Sequence, residues 1–274
     1  MNRIDALFAR LKSEGRPALM PFVTAGDPDL ATTSEIVVEA LRQGADMIEV
    51  GIPYSDPVAD GPVIAASYTR ALRGGVKLAR IFDTFRSLRA EDIDGPTAAA
   101  PLVAMISYAI IHRQGAERFL QDARSAGFDG LIVPDLPVEE SELLCRMATE
   151  VDLRLIQLIT PTTPRDRALK IASSTTGFIY YVSVAGITGE RRSLPPELAE
   201  NVAWLRSQTH LPICIGFGIG TSSQIRDLSG FADGLIVGSA LVRRLENASA
   251  RPRPEVVREI GQFVAELATG LKPG

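Results

Sequence analysis

Cysteine and histidine are scarce in this chain. Its 274 residues hold two of each: Cys145 and Cys214, His112 and His210. Two thiols about seventy positions apart build no disulfide framework, zinc cluster or iron–sulfur site, and they suit a reducing compartment. The isolated histidines argue against a His-based metal centre, so no metal site is expected. Excess positive charge is also missing. The 29 Lys and Arg stand against 33 Asp and Glu, giving a formal net charge of −4 and no electrostatic footprint for nucleic acid. The one long uncharged stretch, Gly95–Ile111, is interrupted by Pro96 and Pro101 and falls short of a membrane span. A buried strand with its leading loop accounts for it. The opening Met1-Asn-Arg-Ile-Asp-Ala-Leu-Phe8 carries Asp5 and has no apolar core of signal-peptide length, so a cytoplasmic location is expected. Linkers and composition breaks are missing too, and residues 1–274 read as a single domain. Chemistry therefore falls to carboxylates, hydroxyls and backbone amides.

What the chain does contain is a succession of short apolar runs, each ending in a loop rich in Gly, Pro or Asp. They are Ala18–Thr24, Met47–Gly51, Leu102–Ser107, Gly130–Val133, Leu155–Ile159, Phe178–Val182, Ile213–Gly216 and Gly234–Val237. The runs are continuous rather than alternating, as expected of strands buried on both faces of a parallel sheet. Helical patterns lie between them, such as Ile36, Val37, Ala40 and Leu41, or Phe119, Leu120 and Ala123. Helix starts are marked by Glu139 and Glu140 after Pro137, and by Thr221-Ser-Ser-Gln224, which has the form of a capping box. Eight such alternations predict an α/β fold, a (β/α)8 TIM barrel, with an extra N-terminal helix over Arg3–Leu11 and long loops after strands 2 and 6. The wide gap between Gly51 and Leu102 leaves room for an additional helix near Val63–Leu72. In such a barrel the chemistry sits at the C-terminal ends of the strands.

Two carboxylates occupy that end of strand 2. Glu49 lies inside the apolar run Met47-Ile-Glu-Val-Gly51, where burial raises a carboxyl pKa. It is either a general acid/base tuned by burial or a structural Glu satisfied by backbone or an Arg. Asp60, in Ala59-Asp-Gly-Pro62, is either a second catalytic carboxylate or a turn former. Glycine clusters follow strands 6, 7 and 8: Gly186-Ile-Thr-Gly189, Gly216-Phe-Gly-Ile-Gly220 and Val237-Gly-Ser-Ala240. Their backbone N–H groups favour a phosphate, helped by a short helix starting near Gly238–Ser239. Gly216–Gly220 lacks the spacing of a dinucleotide fingerprint. His112 reads as the surface end of the loop after strand 3, His210 as a helix–strand connector, and both cysteines as buried structural thiols. Phe22, Tyr180 and Phe217, at strand ends, are either core or the walls of a pocket for a flat aromatic substrate.

Read together, Pro21-Phe-Val-Thr-Ala-Gly-Asp-Pro28 and Ile48-Glu-Val-Gly-Ile-Pro-Tyr-Ser-Asp-Pro-Val-Ala-Asp-Gly-Pro62 closely resemble the tryptophan synthase alpha subunit family. Pro134-Asp-Leu-Pro-Val-Glu-Glu140, Gly186–Gly189, Gly216-Phe-Gly218 and Gly238-Ser239 follow in the family's order. The resemblance implies a barrel lyase that splits indole-3-glycerol phosphate into indole and glyceraldehyde 3-phosphate in tryptophan biosynthesis. It implies that Glu49 is the acid/base and that Asp60 holds the indole N–H, kept ionised by a wetter loop. Phe22, Ile64, Tyr180 and Phe217 would wall the pocket, and Gly189, Gly218, Gly238 and Ser239 would cradle the phosphate. The chain would need no cofactor of its own, because pyridoxal phosphate would belong to a beta subunit partnered in an alpha2beta2 complex. Departures fall at Ala109 and Ile110, where the family usually shows a Tyr–Asn–Pro element facing the partner, and at Val184, where it often has Arg before a mobile lid over Gly189–Pro195. A stand-alone lyase, a non-catalytic barrel regulating a partner, and another phosphosugar barrel are the alternatives.

Overall fold

The structure, a computed structural model, describes residues 1–57, 60–182, 197–216 and 218–271. Helix α1 (Arg3–Glu14) precedes β1 (Ala18–Thr24) and α2 (Leu30–Arg42). Strand β2 (Ile48–Gly51) is followed by α3 (Pro62–Arg73), α4 (Leu78–Glu91) and the single turn α5 (Pro96–Ala99). Next come β3 (Leu102–Met105) with α6 (Tyr108–Gln114) and α7 (Ala116–Ser125), then β4 (Gly130–Ile132) with α8 (Val138–Glu150). Strand β5 (Arg154–Ile159) leads to α9 (Arg165–Ser173), β6 (Ile179–Val182) to α10 (Glu197–Arg206), and β7 (Ile213–Gly216) to α11 (Ser222–Leu228). The chain closes with β8 (Gly234–Val237), α12 (Ser239–Arg244) and α13 (Arg253–Ala268). The eight strands pair in sequence order, all parallel, and β8 returns to β1, so the barrel is closed. No helix among the described residues is long and apolar enough to cross a membrane.

Strand register decides which side chains enter the barrel. Directly paired residues project to the same face, and successive residues alternate. Phe22 pairs with Glu49, and Glu49 with Val103. Tyr180 pairs with Leu158 and Cys214, and Met20 with Ile236. These positions point inward with Met105, Ile132 and Ile156, while Leu19, Val23 and Val50 point outward beneath the helices. The N-terminal end is plugged by Ile4, Leu7, Phe8 and Leu11 of α1, with the Phe8 ring 5.7 Å from that of Phe178. Asn2 Nδ2 ties this helix down by donating to the carbonyls of Asp129 (3.0 Å) and Asp152 (2.7 Å), and Arg154 pairs with Asp5 at 2.6 Å. With one end filled, open space is left at the C-terminal end of the strands.

The helix-start signals act as expected. Thr221 and Gln224 form a capping box on α11, and Pro137 precedes α8. The stretch Gly95–Ile111 departs from the expected strand with a leading loop. Pro96, suited to a first helical turn, starts α5, and Ser107 caps α6 after β3. His112 accordingly lies on a helix, exposed, rather than in a loop. Cys214 is buried in β7 but Cys145, on α8, is only half-buried.

Candidate active site

Alternation along β2 sends Ile48 and Val50 outward and leaves Glu49 facing the barrel interior. The side chain is 2% exposed, and its Oε2 has no hydrogen-bond partner among the described residues. Loss of hydration, and secondarily the negative charge of Asp60, push its pKa from 4.5 to about 8. A carboxyl in this setting is protonated at neutral pH and can still give up its proton there.

Asp60 comes from the loop that leads into α3, where Gly61 caps the helix and Pro62 opens it. The Tyr54 hydroxyl donates to Asp60 Oδ2 at 2.8 Å. The resemblance implies a carboxylate kept ionised in a loop wetter than the surroundings of Glu49. Burial nevertheless pushes its pKa up to about 6, the Tyr54 hydrogen bond opposes this, and the charge of Asp135 adds to it. Asp60 is still mostly ionised at pH 7, and the two carboxylates are held in opposite states.

Helix α3 is held against the end of β1 by two contacts. Thr24 and Ser67 share a hydroxyl hydrogen bond of 2.6 Å, and Arg70 grips the buried Asp27 at 3.0 and 2.6 Å. The helix thereby brings Ile64 and Tyr68 to the barrel mouth. Gly51 makes this approach possible. A Cβ there would collide with the Phe22 ring and stand 2.8 Å from the Tyr68 hydroxyl.

A cavity lies over these groups. Phe22, Glu49, Asp60, Ile64, Tyr180, Gly218, Gly238 and Ser239 line it. Gly189, Phe217 and Val184, together with the proposed lid Gly189–Pro195, lie outside the described residues. Gly218 has φ +79°, a conformation glycine takes without strain. Gly238 caps α12 with no side-chain cap, leaving N–H groups of the first turn open. Gly216 has a steric task besides the one its motif suggested. It makes room for Tyr180, whose hydroxyl would collide with a Cβ at that position. Sequence reasoning missed Met105, Leu158 and Ile236 as lining residues. The strand parity set by Glu49 and Tyr180 was the signal that could have found them. It also missed Tyr54, which only the folded loop brings onto Asp60.

Residues 8–272 match the sequence profile described as tryptophan synthase alpha chain. The chain belongs to the tryptophan synthase alpha chain family. It is similar to the alpha chain of Rhodopirellula baltica, 49% identical over 279 residues that cover 99% of each protein. The alpha chain of Clostridium kluyveri is 40% identical over 272 residues, 99% of this chain and 100% of that one. Among solved structures, tryptophan synthase subunit alpha of Legionella pneumophila superposes with a TM-score of 0.88 at 34% identity, covering 99% of this chain and 98% of that one. A chain of Mycobacterium tuberculosis tryptophan synthase gives 0.87 at 31% identity, covering 100% and 99%. Family membership makes this protein a lyase of tryptophan biosynthesis that cleaves indole-3-glycerol phosphate.

Proposed function

We propose that Glu49 and Asp60 divide the chemistry of this cleavage, on one barrel domain spanning 1–274. The observation that carries the proposal is the pair itself. Two carboxyls line one cavity, the first pushed to about 8 and the second to about 6. Protonated Glu49 delivers its proton to indole C3, and the positive charge spreads to the ring nitrogen. Ionised Asp60 accepts the ring N–H and stabilises that charge. Glu49, now a carboxylate, takes the proton of the adjacent glycerol hydroxyl. The bond between C3 and the carbinol carbon breaks, its electron pair restores the indole ring, and the carbinol becomes the aldehyde of glyceraldehyde 3-phosphate. Glu49 ends protonated, ready for another turnover.

Phe22, Ile64 and Tyr180 supply the apolar walls an indole requires, and Phe217, outside the described residues, is assigned to the same wall by family likeness alone. The phosphate is assigned to Gly189, Gly218, Gly238 and Ser239, where an uncapped helix start offers N–H groups. No step calls on a cofactor in this chain, and pyridoxal phosphate is assigned to a beta partner. A solved relative from Pyrococcus furiosus is described as a tryptophan synthase complex, which supports such a partner. The departure after β3 fits an ordered surface there. Asp135 accepts from Ser107 Oγ (2.6 Å) and the Tyr108 N–H (2.7 Å), fixing the start of α6, and Ala109 is exposed. The free thiols suit a cytoplasmic setting.

The test is indole release from indole-3-glycerol phosphate by purified protein. Glu49→Gln is expected to lower kcat by roughly 10²-fold or more. Turnover close to wild type would remove Glu49 from the mechanism. Adding a beta subunit is expected to raise the wild-type rate, and an unchanged rate together with no association would favour the stand-alone lyase.

A further inference from the structure

We infer that Tyr54 is a positioning residue for the reaction, holding the Asp60 carboxylate by one oxygen and leaving the other for the substrate. The inference rests on the assignment of Asp60 above. Among the described residues lining the cavity Tyr54 does not appear, whereas Asp60, which its hydroxyl contacts, does. Its hydroxyl donates to Asp60 Oδ2 at 2.8 Å across six residues of the same loop, and the chain between them includes Pro57. Its ring packs on that of Tyr68, with centroids 5.4 Å apart and planes inclined by 53°. Tyr68 is itself fully buried on α3, which the Thr24–Ser67 and Asp27–Arg70 contacts hold against β1. The hydroxyl of Tyr54 is thus fixed from the rigid side of the site, and it fixes a carboxylate that sits on a loop. A carboxylate free to rotate would present its lone pairs to the indole N–H in only part of its orientations. One oxygen held by Tyr54 removes that freedom before substrate arrives.

A hydrogen bond donated to a carboxylate also favours its charged form. The groups facing Asp60 are Tyr54 from its own loop, Glu49 from β2, Tyr68 from α3, Asp135 after β4 and Tyr180 from β6. Asp135 pushes the Asp60 pKa up, and Tyr54 pulls it down. Wild-type kcat/KM should therefore rise as pH climbs through about 6, where Asp60 ionises, and fall beyond about 8, where Glu49 loses its proton. These limbs belong to the interacting pair as a whole.

The experiment is the pH profile of kcat/KM for wild type, Tyr54→Phe and Asp60→Asn. Tyr54→Phe keeps the ring on Tyr68 and removes only the hydroxyl. Its acid limb is expected to move up by about one pH unit, with the alkaline limb unmoved. Activity should then fall about twofold at pH 7 and about fivefold at pH 6 from ionisation alone. A profile that superimposes on wild type, or drops uniformly with both limbs in place, would overturn the inference, because a purely structural role for Tyr54 moves no limb. Asp60→Asn separates this from failure of the underlying assignment. If that variant retains wild-type activity and its acid limb, Asp60 itself is not the group at work. If it is inactive while Tyr54→Phe is unchanged, only the role of Tyr54 falls.

Discussion

Replacing Glu49 by Gln should stabilise the protein while destroying its activity, and the gain should depend on pH. The native carboxyl keeps its proton up to about 8, whereas an unfolded chain releases it near the ordinary 4.5. Between those values the native state binds more protons than the unfolded state, so the free energy of unfolding falls as pH rises. The displacement corresponds to about 5 kcal/mol once pH exceeds both values, about 3 kcal/mol at pH 7 and about 1 kcal/mol at pH 5. Glutamine has nearly the same shape and does not titrate. Its own cost of burial is a constant offset, so the slope is the informative quantity. The stability of Glu49→Gln minus that of wild type should grow by about 2–3 kcal/mol between pH 5 and pH 7. Chemical denaturation followed by far-ultraviolet circular dichroism at several pH values measures it. A difference that stays flat across this range would mean that Glu49 finds a partner the structure does not show, and the acid role assigned to it would lose its basis. Asp60→Asn offers an internal check. Removing the Asp60 charge should reduce the slope, because that charge is the second force pushing Glu49 up.

Other perturbations probe the supports of the site. Gly51→Ala places a methyl group against the Phe22 ring and the Tyr68 hydroxyl, so Phe22 must leave the cavity wall. An increase in KM of tenfold or more is expected, and unchanged kinetics would show that Phe22 does not contact substrate. Arg70→Ala leaves Asp27, whose side chain is 1% exposed, without its cation, at a cost of about 3 kcal/mol read from urea denaturation. Loss of less than 1 kcal/mol would count against the clamp on α3. Asp129→Ala removes the acceptor for Arg3, Arg89 and the Leu102 N–H, leaving the largely buried Arg89 short of its counter-ion. Destabilisation of about 3–5 kcal/mol is expected with the pH profile of activity unaltered, since this network lies at the opposite end of the barrel from the carboxylates.

How far the sequence discloses this site depends on the range of the interaction concerned. Apolar runs such as Ile213–Gly216 and Gly234–Val237 match their strands residue for residue, because burial on both faces imprints a continuous pattern. Glu49 stands out for the same reason: one acid inside such a run has few roles available. Asp60 is legible as a position but not in its environment. Its pKa depends on Tyr54 folding back upon it and on Asp135 arriving from beyond β4, and neither contact leaves a periodic trace. Gly216 shows the converse limit. In sequence it belongs to a phosphate-type glycine cluster, yet in the barrel it yields space to Tyr180 across the β6–β7 pairing. A glycine motif records that a side chain is not tolerated, and only the fold tells what occupies the space.

The same distinction explains why the barrel can hold a protonated acid at neutral pH. Of the inward ladder, Glu49 is flanked by Phe22 on β1 and Val103 on β3, so neither neighbouring strand offers a counter-charge. Among the described residues, several cations are committed away from Glu49: Arg3, Arg89 and Arg124 surround Asp129, Arg16 pairs with Asp46, and Arg70 with Asp27. An arginine beside Glu49 would stabilise the fold by pairing with its charge, and would draw its pKa down, out of the range in which it can deliver a proton. The instability assigned above to wild-type Glu49 and the acid strength required of it are therefore one property, measured once by denaturation and once by the alkaline limb of turnover. The two measurements must agree on the same displaced pKa, near 8. If denaturation and kinetics returned values differing by more than about one pH unit, a group other than Glu49 would be setting one of them.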